Sequence, residues 1–169
     1  MPDPILGIDT SLIVTAAQLT ANDPNRQIPN LGQIAMDGRL NKRYRFMRAT
    51  TAWVANDIIV RDYAGTQEPN DGAPCTAVAQ PVAGVALTTV PVNGAGWVQF
   101  EGEHPNVNVA ASTAGQMVGT TATSGRGTGI TMTTPTTAES LALMAATQSC
   151  RITALDVAAG NLCQCYLGS

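Results

Sequence analysis

The sequence predicts an all-β fold, a small β-barrel or β-sandwich preceded by an extended N-terminal arm, and three observations predict it. From Lys42 onward, short β-rich runs alternate with Gly, Asn and Pro, the mark of many short strands joined by tight turns. Before that point Pro4, Pro24 and Pro29, with the turn signal Asn22-Asp23-Pro24-Asn25, interrupt scattered apolar groups, so no long regular element fits. In Val107-Asn108-Val109 and again over Ile152–Val157, apolar and polar residues mostly alternate. That period places one strand face on a core and the other on solvent or a neighbour. At 169 residues the chain suits one domain with an arm, which we divide as residues 1–40 and 41–169.

Each element follows from its residues. In the arm Leu12, Ala16 and Leu19 fall near helical spacing, so a short helix over Ser11–Leu19, capped by Thr10 or Ser11, suits that stretch. Strands are then expected at Arg43–Ala49, Asp57–Tyr63, Val82–Val90, Gly96–Phe100, Val107–Ala110, Gln116–Thr123, Gly129–Thr133, Leu141–Ala146, Arg151–Val157 and Leu162–Leu167. The last two read as a closing hairpin through Ala158-Ala159-Gly160-Asn161. With the turn centred on Ala159, Leu155 faces Cys163 and Thr153 faces Cys165, and Cys150 lies beyond easy reach of either. The Thr-rich patch from Thr128 to Thr137 is the only low-complexity stretch.

Composition narrows the function. Charged residues are only 12% of the chain, about half the usual share of roughly 25%, and such a surface suits burial against other proteins. The apolar 44% is mostly Ala and Val, with two Trp, two Phe and three Tyr. A core short of aromatics is a modest stabiliser, so help from neighbouring subunits is expected. A net charge of -3 argues against a nucleic-acid binder, which needs a basic stripe to displace counterions. The start, Met1–Gly7, lacks a basic n-region with a long apolar stretch, and no run approaches a membrane span. A soluble, unsecreted protein without membrane or nucleic-acid partners is the expectation. Four cysteines, Cys75, Cys150, Cys163 and Cys165, are too few and too unevenly spaced for a disulfide framework; reduced thiols are expected, with an intersubunit bridge as the alternative.

The order of short motifs carries a resemblance. Leu31-Gly32-Gln33 leads through Asp37-Gly38 into the aromatic-basic strand Arg43-Tyr44-Arg45-Phe46-Met47-Arg48-Ala49. Gly84-Val85-Ala86-Leu87 then precedes Gly96-Trp97-Val98-Gln99-Phe100-Glu101-Gly102. Val107-Asn108-Val109, Thr113-Ala114-Gly115-Gln116-Met117-Val118 and Ser124-Gly125-Arg126-Gly127 follow. In this order, over residues 31–168, the chain resembles the small β-barrel or β-tulip decoration (cement) proteins of tailed-phage capsids. The resemblance implies a structural virion protein on the capsid exterior, assembled in the host cytoplasm. Its partners would be the major capsid protein and further copies of itself, a homotrimer more readily than a dimer. The first 30 residues depart from the pattern.

Chemistry-bearing residues are sparse. The single histidine, His104, cannot form a two-His metal site. Glu101-Gly102-Glu103-His104 offers two carboxylates and an imidazole, but the following Pro105 favours an extended, solvated turn. Cys163-Gln164-Cys165 lacks the second pair that zinc ligation needs. Gly125-Arg126-Gly127-Thr128-Gly129 reads as a flexible turn; a phosphate loop would need a helix after it, where Thr-rich β sequence stands. No catalytic, cofactor or metal residue is assigned.

The informative charge feature is placement. Arg39, Lys42, Arg43, Arg45 and Arg48 are five of the nine basic residues, and Asp62, Glu68, Asp71, Glu101 and Glu103 follow in a stretch without Lys or Arg. The sequence thus predicts a basic end and an acidic end. The basic strand is the candidate capsid-facing side; a charge-protected strand edge is its equal rival. Trp53 and Trp97 complete the interface candidates, although core burial suits Trp97 and Phe100 as well. Two other functions stay open. A receptor- or carbohydrate-binding module of a phage tail or spike would call for more aromatics, and a small hydrolase using His104 would need distant, unmarked partners.

Overall fold

In a computed structural model, residues 8–21, 28–62, 70–77, 80–110, 116–130, 150–156 and 162–167 are described. Among them are eleven strands and one short helix: β1 Ile13–Val14, α1 Ala16–Thr20, β2 Ile34–Asp37, β3 Lys42–Ala49, β4 Ile58–Arg61, β5 Asp71–Pro74, β6 Val82–Ala86, β7 Ala95–Ala110, β8 Met117–Thr120, β9 Gly127–Ile130, β10 Cys150–Asp156 and β11 Leu162–Leu167. The fold is all-β, in one mixed sheet in which β3–β5 and β7–β9 are parallel and the other pairings antiparallel.

The long strand β7 organises the molecule. Its first half pairs β3 on one edge and β6 on the other, and the ladder continues β6–β4–β5 and back to β3. Its second half pairs β11 and β9, and that ladder runs β9–β8–β10 and back to β11. Two closed pairing circuits therefore share one strand. Gly102 stands at the changeover with φ +89, where a Cβ would lie 2.5 Å from the Asn41 carbonyl oxygen. Only glycine fits that backbone and that approach.

The sequence predicts two strands, Gly96–Phe100 and Val107–Ala110, where the fold has the single 16-residue β7. Pro105 explains the difference. Cys163 pairs Val107 and Cys165 pairs His104, so three steps on β7 oppose two on β11. The proline, with no N–H to offer a ladder, falls inside this bulge and does not end the strand. Strand β5 was not expected because Asp-Gly-Ala-Pro reads as a turn. It is held by neighbours on both edges, β3 and β4, and such context overrides propensity.

The described residues of the arm hold β1, α1 and β2. A helix does form, but over Ala16–Thr20, overlapping only the second half of Ser11–Leu19 and ending one residue past it, and Thr15 rather than Thr10 or Ser11 caps it, with the Thr15 N–H donating to Gln18 Oε1 at 2.9 Å. Just before it, β1 pairs Ile13 with Gly96 and Val14 with Ala95. From Ile34 the arm is part of the sheet, because β2 pairs residues 34–37 with 42–45 around the Asp37-Gly38 turn. The closing hairpin β10–β11 forms as expected, with Leu155 opposite Cys163. A bulge between Ile152 and Ala154 then puts Ile152, not Thr153, opposite Cys165. The expected strand Leu141–Ala146 lies outside the described residues.

Period-two alternation sorts side chains into three cores. Met47, Ala49, Trp53, Ile59, Ala83, Ala86, Val90 and Val98 fill the first circuit. Ile58, Val60, Cys75 and Val85 meet Val107, Val109, Val118 and Leu167 of the second, joining the two halves. On the remaining face Tyr44, Phe46, Ala95 and Trp97 are covered by Val14, with Ile8, Leu12, Leu19 and Ile28 packed around them. Phe46 and Trp97 are direct cross-strand partners, their rings edge-on at 5.2 Å. The arm is thus a lid on the aromatic face of β3 and β7.

Candidate interaction surface

Strand pairing decides what the basic residues do. On β3, Arg43 lies opposite Glu101 of β7 and reaches its carboxylate at 3.1 Å. Arg45 stacks over the Phe100 ring at 5.2 Å, an ordinary cation–π distance. Arg48 makes a two-pronged contact with Asp71 of β5, with Nε donating to Oδ1 at 2.9 Å and Nη2 to Oδ2. Asp71 is buried and Arg48 half-buried, so this pair belongs to the framework. The expected separation into a basic and an acidic end fails for two of the five acidic residues: Glu101 and Asp71, distant in sequence, stand directly beside the arginines. Arg39 is exposed in the β2–β3 turn, where its N–H donates to Asp37 Oδ1 at 3.0 Å.

Trp53 and Trp97, singled out as interface residues, are 1% and 3% exposed. Both are core residues of the chain, Trp53 inside the first circuit and Trp97 under the arm. Surface apolarity lies elsewhere. In β2, Ile34 is 55% and Met36 54% exposed, and Leu40 in the next turn is 59% exposed. Strand β2 ends the sheet path, so among the described residues its outer edge has no strand partner. Native edges are normally blunted by charge, proline or a bulge; β2 has no proline or bulge, and its one charge, Asp37, stands at its end. A groove of about 690 Å³ runs beside it, lined by Ile8, Leu12, Ile28, Ile34, Met36 and Trp97. The sequence reading missed this strand, although the Asp37-Gly38 hairpin signal before a β-rich run pointed to a partner strand on its other side.

The residues of the enzyme reading are dispersed. His104 is buried, and desolvation, reinforced by the Lys42 charge, lowers its pKa from 6.5 to about 4. Glu101 is engaged by Arg43, and Glu103 and His104, adjacent on a strand, face opposite ways. Among the described residues no three His, Cys, Asp or Glu side chains gather as a metal site. The Gly125 loop packs against the Asp57 carboxylate and leads into β9, not a helix. A carboxylate there would repel phosphate. Cys75 is buried with its thiol donating to the Arg126 carbonyl at 3.3 Å, and burial pushes its pKa up, which keeps it protonated and unreactive. No helix among the described residues is long and apolar enough to cross a membrane.

Comparison with protein-family models, with curated proteins and with solved structures finds no match. The functional reading therefore rests on the chain's own surface.

Proposed function

We propose that the protein is a structural virion component. In this reading it binds the outside of a phage capsid as a homo-oligomer, with a trimer favoured, and stabilises the shell by bridging capsomers. The observation that carries the reading is the edge strand β2, where Ile34 and Met36 are exposed and Asp37 at its end is the one charge, with exposed Leu40 in the turn beyond. An extended segment of another chain adds to such an edge through main-chain hydrogen bonds, with side-chain pockets setting specificity. The low charge of the whole chain and the motif order from Leu31 to Gly127 support the same reading. Each copy need contribute only a modest interface, because many copies cross-link one shell and rupture must break several contacts together.

The test is addition of purified protein to expanded, undecorated shells of a tailed phage. Stoichiometric addition is expected, and an Ile34→Lys/Met36→Lys variant should lose it while keeping its fold. A wild-type protein that adds to no shell and stays monomeric at every concentration would overturn the proposal. Among the described residues the carbohydrate-binding alternative gains no observation: both tryptophans are buried, as is Tyr44, and the Phe100 ring is covered by Arg45.

A further inference from the structure

The chain has one lysine and one histidine, Lys42 and His104, and the fold brings them to one cavity. This cavity, of about 350 Å³, is also lined by Thr10, Ser11, Tyr44 and Thr88. Lys42 opens β3, His104 lies in the second half of β7, and the arm supplies the hydroxyl residues of the opposite wall.

The charge state of the cavity is unusual for this protein. Arg43 and Arg48 each hold a carboxylate of their own chain, whereas half-buried Lys42 has no ion-pair partner among the described residues. Its cross-strand neighbour Asp37 directs Oδ1 to the Arg39 and Leu40 N–H groups, at 3.0 and 3.3 Å. His104 Nδ1 accepts the Asn106 N–H at 3.2 Å, which places the proton of the neutral ring on Nε2. Burial, with Asp37 nearby, raises the Tyr44 pKa and keeps that phenol a donor. Thr88 Oγ1 is buried without a partner, and a buried hydroxyl in that condition costs stability until something meets it. The Ser11 hydroxyl is already given to Asp9.

We infer that this cavity is a receptor for a single carboxylate. One negative charge matches the one unpaired ammonium, and two oxygens can accept from the imidazole Nε2–H and the hydroxyls. A phosphate dianion would bring a second charge with no cation to meet it, because no arginine among the described residues lines the cavity. The inference holds for a carboxylate on an acidic side chain of a partner protein or on a free small acid. It does not depend on the capsid reading.

The sole histidine gives one imidazole Cε1–H signal in NMR, and the sole lysine gives one side-chain amine. The full-length protein is titrated with sodium acetate and with N-acetylglutamate N-methylamide, against sodium chloride at equal ionic strength. Both carboxylates are expected to shift the His104 signal beyond the chloride control and to slow acylation of Lys42 by an amine-directed reagent. Lys42→Met should weaken the response by about tenfold or more, the value of one charge-assisted bond, while Arg39→Gln leaves it unchanged. Tighter binding of the capped glutamate assigns the site to a protein side chain, and equal or tighter binding of acetate assigns it to a free acid. If neither probe exceeds chloride, or if Lys42 stays equally reactive at saturating carboxylate, the inference is wrong.

Discussion

Among single residues, two buried groups govern how the fold responds to charge. His104 is driven neutral by desolvation, with a pKa lowered to about 4. As the pH falls below 6.5 the unfolded chain takes up a proton that the folded chain refuses until about pH 4, so stability is lost across that window as acid is added. The loss amounts to about 3 kcal/mol at most. His104→Gln should flatten this part of the stability–pH curve, measured by urea unfolding at pH steps between the two values. Asp71 is the other case. Its carboxylate is buried and answered by Arg48, so Arg48→Met leaves a buried charge without its cation and should destabilise by about 3 kcal/mol. The double variant Arg48→Met/Asp71→Asn should recover most of that, because the burden is the orphaned charge and not the missing bridge.

Among the elements, β6 and β2 carry the clearest expectations. Strand β6 approaches β7 so closely at Gly84, φ +150, that a Cβ would lie 2.3 Å from the Gln99 carbonyl oxygen. Gly84→Ala should therefore break the β6–β7 pairing that closes the first circuit and cost about 3 kcal/mol or more, visible as a lower denaturation midpoint. Strand β2 behaves oppositely. Ile34→Lys/Met36→Lys changes exposed side chains, so folding stability should move by no more than about 0.5 kcal/mol. Self-association, followed by sedimentation over a range of concentrations, should fall sharply. The β2–β3 hairpin could be read in outline from Asp37-Gly38 and the strand after it. That β2 forms the sheet's end could not, because edge position is a property of the strand order.

For the whole molecule, the arm and the shared strand govern integrity. The arm covers Phe46 and Trp97, so a chain beginning at Ile28 should expose that face. A red-shifted tryptophan emission and increased aggregation are expected, and unchanged emission would show that the face closes without the arm. Strand β7 serves both circuits and joins them through the core of Ile58, Val60 and Val85 against Val107, Val109 and Val118. Unfolding should accordingly be a single transition by fluorescence and far-UV circular dichroism.

Local pattern was enough to make this chain all-β, to place strands at Arg43–Ala49 and Leu162–Leu167, and to pair the C-terminal strands as a hairpin. Those features depend on alternation and turn residues within a few positions, which a chain carries wherever it folds. Tertiary structure alone decided the charge layout and the surface. Arg43 finds Glu101, Arg48 finds Asp71, Trp53 goes inside, Pro105 survives within a bulge, and Lys42 meets His104. Each outcome is set by register between strands far apart in sequence, and a shift of one residue would turn every one of those side chains to the other face.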